Sequence, residues 1–166
     1  MLQPVVRRTW APEGQTPIHY SWDRRDRLSA ISAVTVSPER RRLGLCFDIH
    51  DHNIDTDTFE SFVRWLRRRI RRRIILVVDR WSVHRSGVRR LLDRFGSQVQ
   101  VERLPPYAPE LNPVEQVWSH TKHADLANYI PDDVAALAEA VSNSLDQAST
   151  NQKLLRSFFH YAELSL

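Results

Sequence analysis

The chain has 166 residues, 42% of them hydrophobic and 27% charged, with four glycines and nine prolines; this suffices for one domain with a sizeable core and excludes a low-complexity chain. A single cysteine, Cys46, excludes a disulfide framework and a cysteine zinc site, and apolar runs far below the roughly 18 residues of a membrane span, with no secretory signal, lead us to expect a cytoplasmic protein without a membrane partner. Arginine supplies 22 of the 24 basic residues, Lys122 and Lys153 being the others, for a net charge of +4; guanidinium grips phosphate bidentately and stacks on bases, so the balance suits a nucleic-acid partner, while a GC-rich genome is the bland explanation of the same bias.

Residues 1–16 lack periodicity and contain Pro4, Pro12 and Gly14, a loop-rich lead-in. Residues 28–36 are rich in β-branched side chains and predict a strand. The turn Pro38-Glu39-Arg40-Arg41 joins it to a second strand over 43–49, antiparallel because the link is short. Asp55-Thr56-Asp57 starts a helix on which Phe59, Phe62, Val63, Leu66 and Ile70 recur at helical spacing, with six arginines over 67–73 at its end. The apolar run 74–79 predicts a strand buried on both faces and parallel to its neighbours. A helix over 83–95 turns Val88, Leu91, Leu92 and Phe95 inward and stops at Gly96. A strand over 99–104 leads into a proline loop, and a helix starting near Pro113 buries Val114, Val117, Trp118 and, further on, Leu126. Helices over 132–147 and 151–164 close the chain with the stripes Leu137, Val141, Leu145 and Leu154, Phe158, Tyr161. There is no internal repeat. The order predicts an α/β fold, a mixed sheet covered by helices.

Two acids carry the candidate chemistry. Asp79 ends a buried parallel strand, at the sheet edge where α/β proteins place ligands; a solvated turn former is the structural alternative. Glu115 follows Leu104-Pro105-Pro106-Tyr107-Ala108-Pro109-Glu110-Leu111-Asn112-Pro113-Val114, and a capping box with Asn112 explains its spacing as well as a ligand role does. The prolines stiffen the loop and lower the entropy of holding that carboxylate in place. Brought together, the two acids hold a divalent metal over a phosphate. His84 lies near the next helix start and either contacts the phosphate, assists proton transfer or simply caps. His50-Asp51-His52 and His120 with His123 are short of a metal-ligand set. Arg64, Arg67 and Arg71 share one helical face, a phosphate-tracking stripe or a solvated helix end; Arg80, Arg85 and Lys122 complete the DNA-binding candidates.

With these residues in view, the chain resembles the catalytic domain of bacterial insertion-sequence transposases of the mariner-like DDE superfamily. The matching segments are Arg8-Thr9-Trp10-Ala11-Pro12 with Gly14-Gln15-Thr16-Pro17, the strand ending in Asp79 with His84-Arg85-Ser86, and Leu104-Pro105-Pro106-Tyr107 through Asn112-Pro113-Val114-Glu115 with Trp118. The resemblance implies a ribonuclease-H-like domain over 1–130, with helices 131–166 packed on it. It implies three carboxylates holding two Mg²⁺ or Mn²⁺ ions, and DNA cleavage and strand transfer at transposon ends. Asp79 corresponds to the second acid and Glu115 to the third. The first acid belongs to a central strand ahead of the segment matching Met1-Leu2-Gln3-Pro4, so the resemblance leads us to expect that strand partly or wholly missing and catalysis impaired. Asp23 and Asp26 are the nearest aspartates downstream, and Arg80-Trp81 stands where the family often has a small polar residue. A non-catalytic DNA-binding or regulatory fragment, pairing with itself or with a full-length transposase, is the first alternative, and a ribonuclease-H-like nuclease the second.

Overall fold

The computed structural model describes residues 7–15, Ile18 and 28–166; Asp23 and Asp26 lie outside them. Strands β1 (Ser29–Val36) and β2 (Leu43–His50) pair antiparallel, from Ser29 opposite His50 to Val36 opposite Leu43. Ser37 closes the turn: its N–H donates to Arg42 O at 2.9 Å, and its hydroxyl accepts from Arg42 N at 3.0 Å. The outer edge of β2 is met by the Gln152 side chain, which accepts from Leu43 N (3.0 Å) and donates to Leu43 O (2.8 Å). One amide thus satisfies, at Leu43, the two backbone groups that a further strand would pair there.

Helix α1 (Thr56–Ile70) starts where the Asp55 carboxylate accepts from Thr58 N–H at 2.8 Å. It ends at Arg71, whose backbone is left-handed (φ 54°) and whose N–H donates to Arg67 O at 3.1 Å. Strand β3 (Ile74–Val78) pairs in parallel with β4 (Val99–Arg103), and α2 (Ser82–Phe95) crosses between them, stopped by Gly96 at φ 51°. The helices α1 and α2 lie side by side and run the same way. Arg90 pairs with Asp57 at 2.5 Å and Arg94 with Glu60 at 3.4 Å, while further along Arg67 reaches Gln98. Phe59, Val63, Val78, Val88 and Leu91 form the core of this half.

Helix α3 (Pro113–His120) runs into a π-helical turn over Thr121–Asp125, followed by α4 (Val134–Thr150) and α5 (Gln152–Tyr161). Its Val117 joins Leu43, Leu45, Val141, Leu145 and Leu155 in a second core, which packs the C-terminal helices on the β1–β2 hairpin. Inside the π-turn, the buried Ser144 hydroxyl contacts Thr121 Oγ1 (3.0 Å) and Asp125 Oδ2 (2.7 Å), so the irregular backbone is tied to α4.

Among the described residues the expected mixed α/β arrangement consists of two small sheets, antiparallel β1–β2 and parallel β3–β4, flanked by helices, with no strand joining β1 to β3. Nor is β3 buried on both faces. Ile74, Leu76 and Val78 meet α1 and α2, whereas Ile75 and Val77 are 63% and 58% exposed, because both helices cover the same face. Leu92 and Tyr161, expected inward, are exposed at 42% and 69%; Leu155 and Phe159 take the buried positions of α5 instead. No helix among the described residues is long and apolar enough to cross a membrane.

The Asp55 carboxyl is held below its ordinary value of 3.8, first by the Thr58 backbone N–H and then by the Thr58 hydroxyl. A lowered folded value stabilises the fold above pH 3.8 and loses that contribution as pH falls through it. Asp55→Ala is therefore expected to lower the urea midpoint at neutral pH, with the gap to the parent closing as the pH falls below 3.8 and the folded carboxylate takes up its proton. A gap that persists unchanged in acid would contradict the charged-cap account.

Candidate active site

The C-terminal edge of β3 and β4 gathers the residues with chemistry. Asp79 follows Val78 directly, and Leu104, the first residue of the proline loop, donates its N–H to Val78 O at 2.9 Å. Asp79 Oδ1 accepts from Trp81 N–H at 2.9 Å, a turn that sets the start of α2. The same oxygen lies 2.6 Å from His84 Nδ1, which donates when it carries the proton. Oδ1 is thereby committed twice, and Oδ2 is left for other work. The His84 side chain is 17% exposed and that of Asp79 45%, so the imidazole is the inner member of the pair.

The position of His84 is fixed by aromatic packing. Its ring lies 4.7 Å from that of Phe59 and edge-on to Trp81 at 5.4 Å. Phe59 in turn fills the space over Gly87: a Cβ there would come within 2.9 Å of Phe59 Cε1 and closer still to Cδ1. A glycine in the middle of α2 costs helix propensity, and what it returns is the close approach that seats Phe59 behind His84. Neither Phe59 nor Gly87 stands out in the sequence as a site residue. The only signal is a helix-interior glycine opposite an apolar helix.

The loop leaving the same edge carries the chain to Glu115. Asn112 caps α3, its side chain accepting from Val114 N–H at 3.2 Å. The return half of the capping box is not made, because Asn112 N–H donates to Pro109 O at 3.0 Å instead. The Glu115 carboxylate is exposed and makes no hydrogen bond or ion pair among the described residues. Tyr107, at the loop tip, has left-handed backbone (φ 57°) and a fully exposed ring.

Asp79 and His84 are brought together; no hydrogen bond or ion pair joins Glu115 to either of them. Asp79 and Glu115 are hard oxygen donors of the kind Mg²⁺ or Mn²⁺ takes. Among the described residues no three His, Cys, Asp or Glu side chains group where they could hold a metal ion, so these two acids match the donor type and fall short of the set a bridged pair of ions needs. The other histidines are used locally. His50 lies 3.3 Å from Asp48, and His52 lies 3.0 Å from Asp51. His120 lies 3.5 Å from Asp125, against Phe158. Burial pushes the Cys46 thiol up despite Arg69 nearby, which disfavours the thiolate.

The basic candidates fall in three places. Arg80 and Arg85, both exposed, flank Asp79. Lys122 sits in the π-turn. Arg64, Arg67 and Arg71 line a cleft of about 350 Å³ at the other end of α1, and Arg68, Arg94 and Phe95 line it with them. Parallel packing of α1 on α2 is what adds the α2 residues, and the spacing along a single helix does not reveal it.

A family model described as "DDE superfamily endonuclease" matches residues 1–137. In shape, the chain is similar to one in the crystal structure of the Mos1 strand transfer complex, with TM-score 0.63, 16% identity and 98% of this chain covered. This likeness gives the fold, α/β of the ribonuclease-H type with small sheets flanked by helices. The chain spans about half, 48%, of the solved chain it matches. Among curated proteins, none matches its sequence.

Gly87→Ala is expected to destabilise the chain by about 1–3 kcal/mol, the cost of overpacking against a buried ring. The shift should appear as a lower urea midpoint with an unchanged slope. A neutral Gly87→Ala would show that Phe59 is not wedged as described.

Proposed function

This chain belongs to the DDE superfamily of endonucleases, and on that premise we propose that it is the catalytic domain of an insertion-sequence transposase, cleaving and joining DNA with divalent metal. The observation that carries the reading is the Asp79 carboxylate, pinned through one oxygen at a strand's C-terminal edge with the other left open. Asp79 Oδ2 and the unpaired Glu115 carboxylate would hold Mg²⁺ or Mn²⁺. Bound, such an ion sharpens a water or 3′-hydroxyl nucleophile and eases departure of the leaving oxygen at a phosphodiester.

The rest is the work of the chain itself. His84 is a positioning residue: it fixes the rotamer of Asp79 so that Oδ2 faces outward, as second-sphere partners of ligands do. The prolines on either side of Tyr107 and ahead of Glu115 stiffen the loop backbone and so lower the entropy lost when the second carboxylate is ordered. Arg80 and Arg85 supply phosphate contacts after Asp79, and the exposed Tyr107 ring offers a surface for a base left unstacked at the end of a duplex. Double-stranded DNA is the partner this set suits. A DNA-binding, non-catalytic role is the second reading, favoured by the arginine cleft set apart from the acids.

The test is nicking of a supercoiled plasmid by the purified chain with Mn²⁺. His84→Ala should lose about 10–100-fold, the usual range for a residue that orients a metal ligand. Asp79→Asn and Glu115→Gln should lose more than that. DNA binding should persist in all three. Cleavage that survives Asp79→Asn undiminished removes the enzymatic reading, and binding without any cleavage leaves the regulatory one.

A further inference from the structure

The cleft between the ends of α1 and α2 has more positive charge than the fold requires. Its lining is Arg64, Arg67, Arg68 and Arg71 from α1, and Arg94 with Phe95 from α2. Among the described residues only Arg94 of these has an acidic partner, Glu60 at 3.4 Å. The side chains of Arg64, Arg68 and Arg71 make no hydrogen bond or ion pair among the described residues. Arg67 reaches Gln98 Oε1 through Nη2, but its Nε is buried without a partner. A buried guanidinium N–H left unbonded is costly and is normally met by a ligand or water.

Arg71 closes α1 beside this cleft in left-handed backbone, at φ 54°. Glycine is the residue that fits there without strain, so the position tolerates removal of the arginine side chain.

The cleft also lies at the wrong end of the sheet to serve the acids. Both helices end beside the N-terminal ends of β3 and β4, whereas Asp79 stands at the C-terminal end of β3. Five residues of strand, about 16 Å, separate the two. We propose that this cleft is a second nucleic-acid site, gripping the sugar-phosphate backbone of a DNA segment other than the one presented to Asp79. The proposal rests on the reading of the chain as a DNA-processing domain. Phosphate is an anion that forked guanidiniums hold bidentately, and the Phe95 ring, with the Arg94 guanidinium over it at 6.0 Å, gives the cleft an apolar wall against which a sugar can lie.

The experiment compares the parent chain with Arg64→Ala/Arg68→Ala and with Arg71→Gly, using a short fluorescent duplex of random sequence. The altered side chains hold no hydrogen-bond or ion-pair partner among the described residues, and the glycine suits the left-handed backbone, so both variants should keep the parent's melting temperature. The log–log dependence of affinity on salt should become shallower by about one unit for each phosphate no longer neutralised, near two for the double variant and one for Arg71→Gly. Stoichiometric titration should give two duplexes per parent chain and one per double variant. Unchanged salt slopes with intact parental binding overturn the cleft as a DNA site while leaving the DNA-processing reading in place; a parent that binds no duplex at all overturns that reading. One duplex per parent chain overturns the claim of a separate segment. Displacement of the duplex by polyglutamate at lower concentration than by unlabelled DNA assigns the cleft to an acidic protein and likewise overturns the proposal.

Discussion

The seating of Phe59 over Gly87 is the contact from which the rest of the α1–α2 layer takes its geometry. It sets how closely the two helices approach. Because they run parallel, that one approach aligns both of their ends. At the start of α2 it puts an aromatic face behind His84 and so governs the only fixed oxygen of Asp79. At the far end it draws Arg94 and Phe95 up to the four arginines of α1. Close packing transmits such constraints because interiors have little free volume to absorb them. A single missing methyl group therefore conditions two distant clusters of polar side chains.

The local structure was legible in the sequence to the extent that it depends on neighbours along the chain. Asp55 as cap, Gly96 as stop and Pro113 at the first turn of α3 read directly, because each acts within a few residues of itself. The turn joining β1 to β2 read for the same reason. The apolar run of β3 misled, since hydrophobic composition reports what a strand tolerates and does not say which of its faces a neighbour covers. Leu92 and Tyr161 failed similarly: stripes at helical spacing are ambiguous by one position when a helix is apolar on a broad arc.

For the candidate site, chemistry was legible and support was not. Asp79, His84 and Glu115 stand out because acids and histidines beside apolar runs or prolines are uncommon. That His84 holds Asp79 and does not simply sit near it follows from the turn at Trp81, which brings residues five apart to 2.6 Å. The capping-box pattern at Asn112 suggested an occupied Glu115. The 3₁₀ turn over Pro109–Leu111 directs the Asn112 N–H to Pro109 O and leaves the carboxylate unclaimed. Such a choice between two acceptors is settled by loop geometry that residue types alone do not specify.

The two short sheets leave each of their four strands with one side lacking a strand neighbour among the described residues, and the face of β3 turned away from α1 and α2 carries the bare side chains of Ile75 and Val77. Open edges of this sort template the joining of further chains. Charge opposes such joining: a net +4, with arginine supplying nearly all of the positive groups, and arginine never loses its proton. Added salt weakens that repulsion while leaving the apolar edge untouched. The molecule's colloidal behaviour should thus run opposite to that of a protein salted in through surface ion pairs, dispersed when ions are scarce and self-associating as they accumulate.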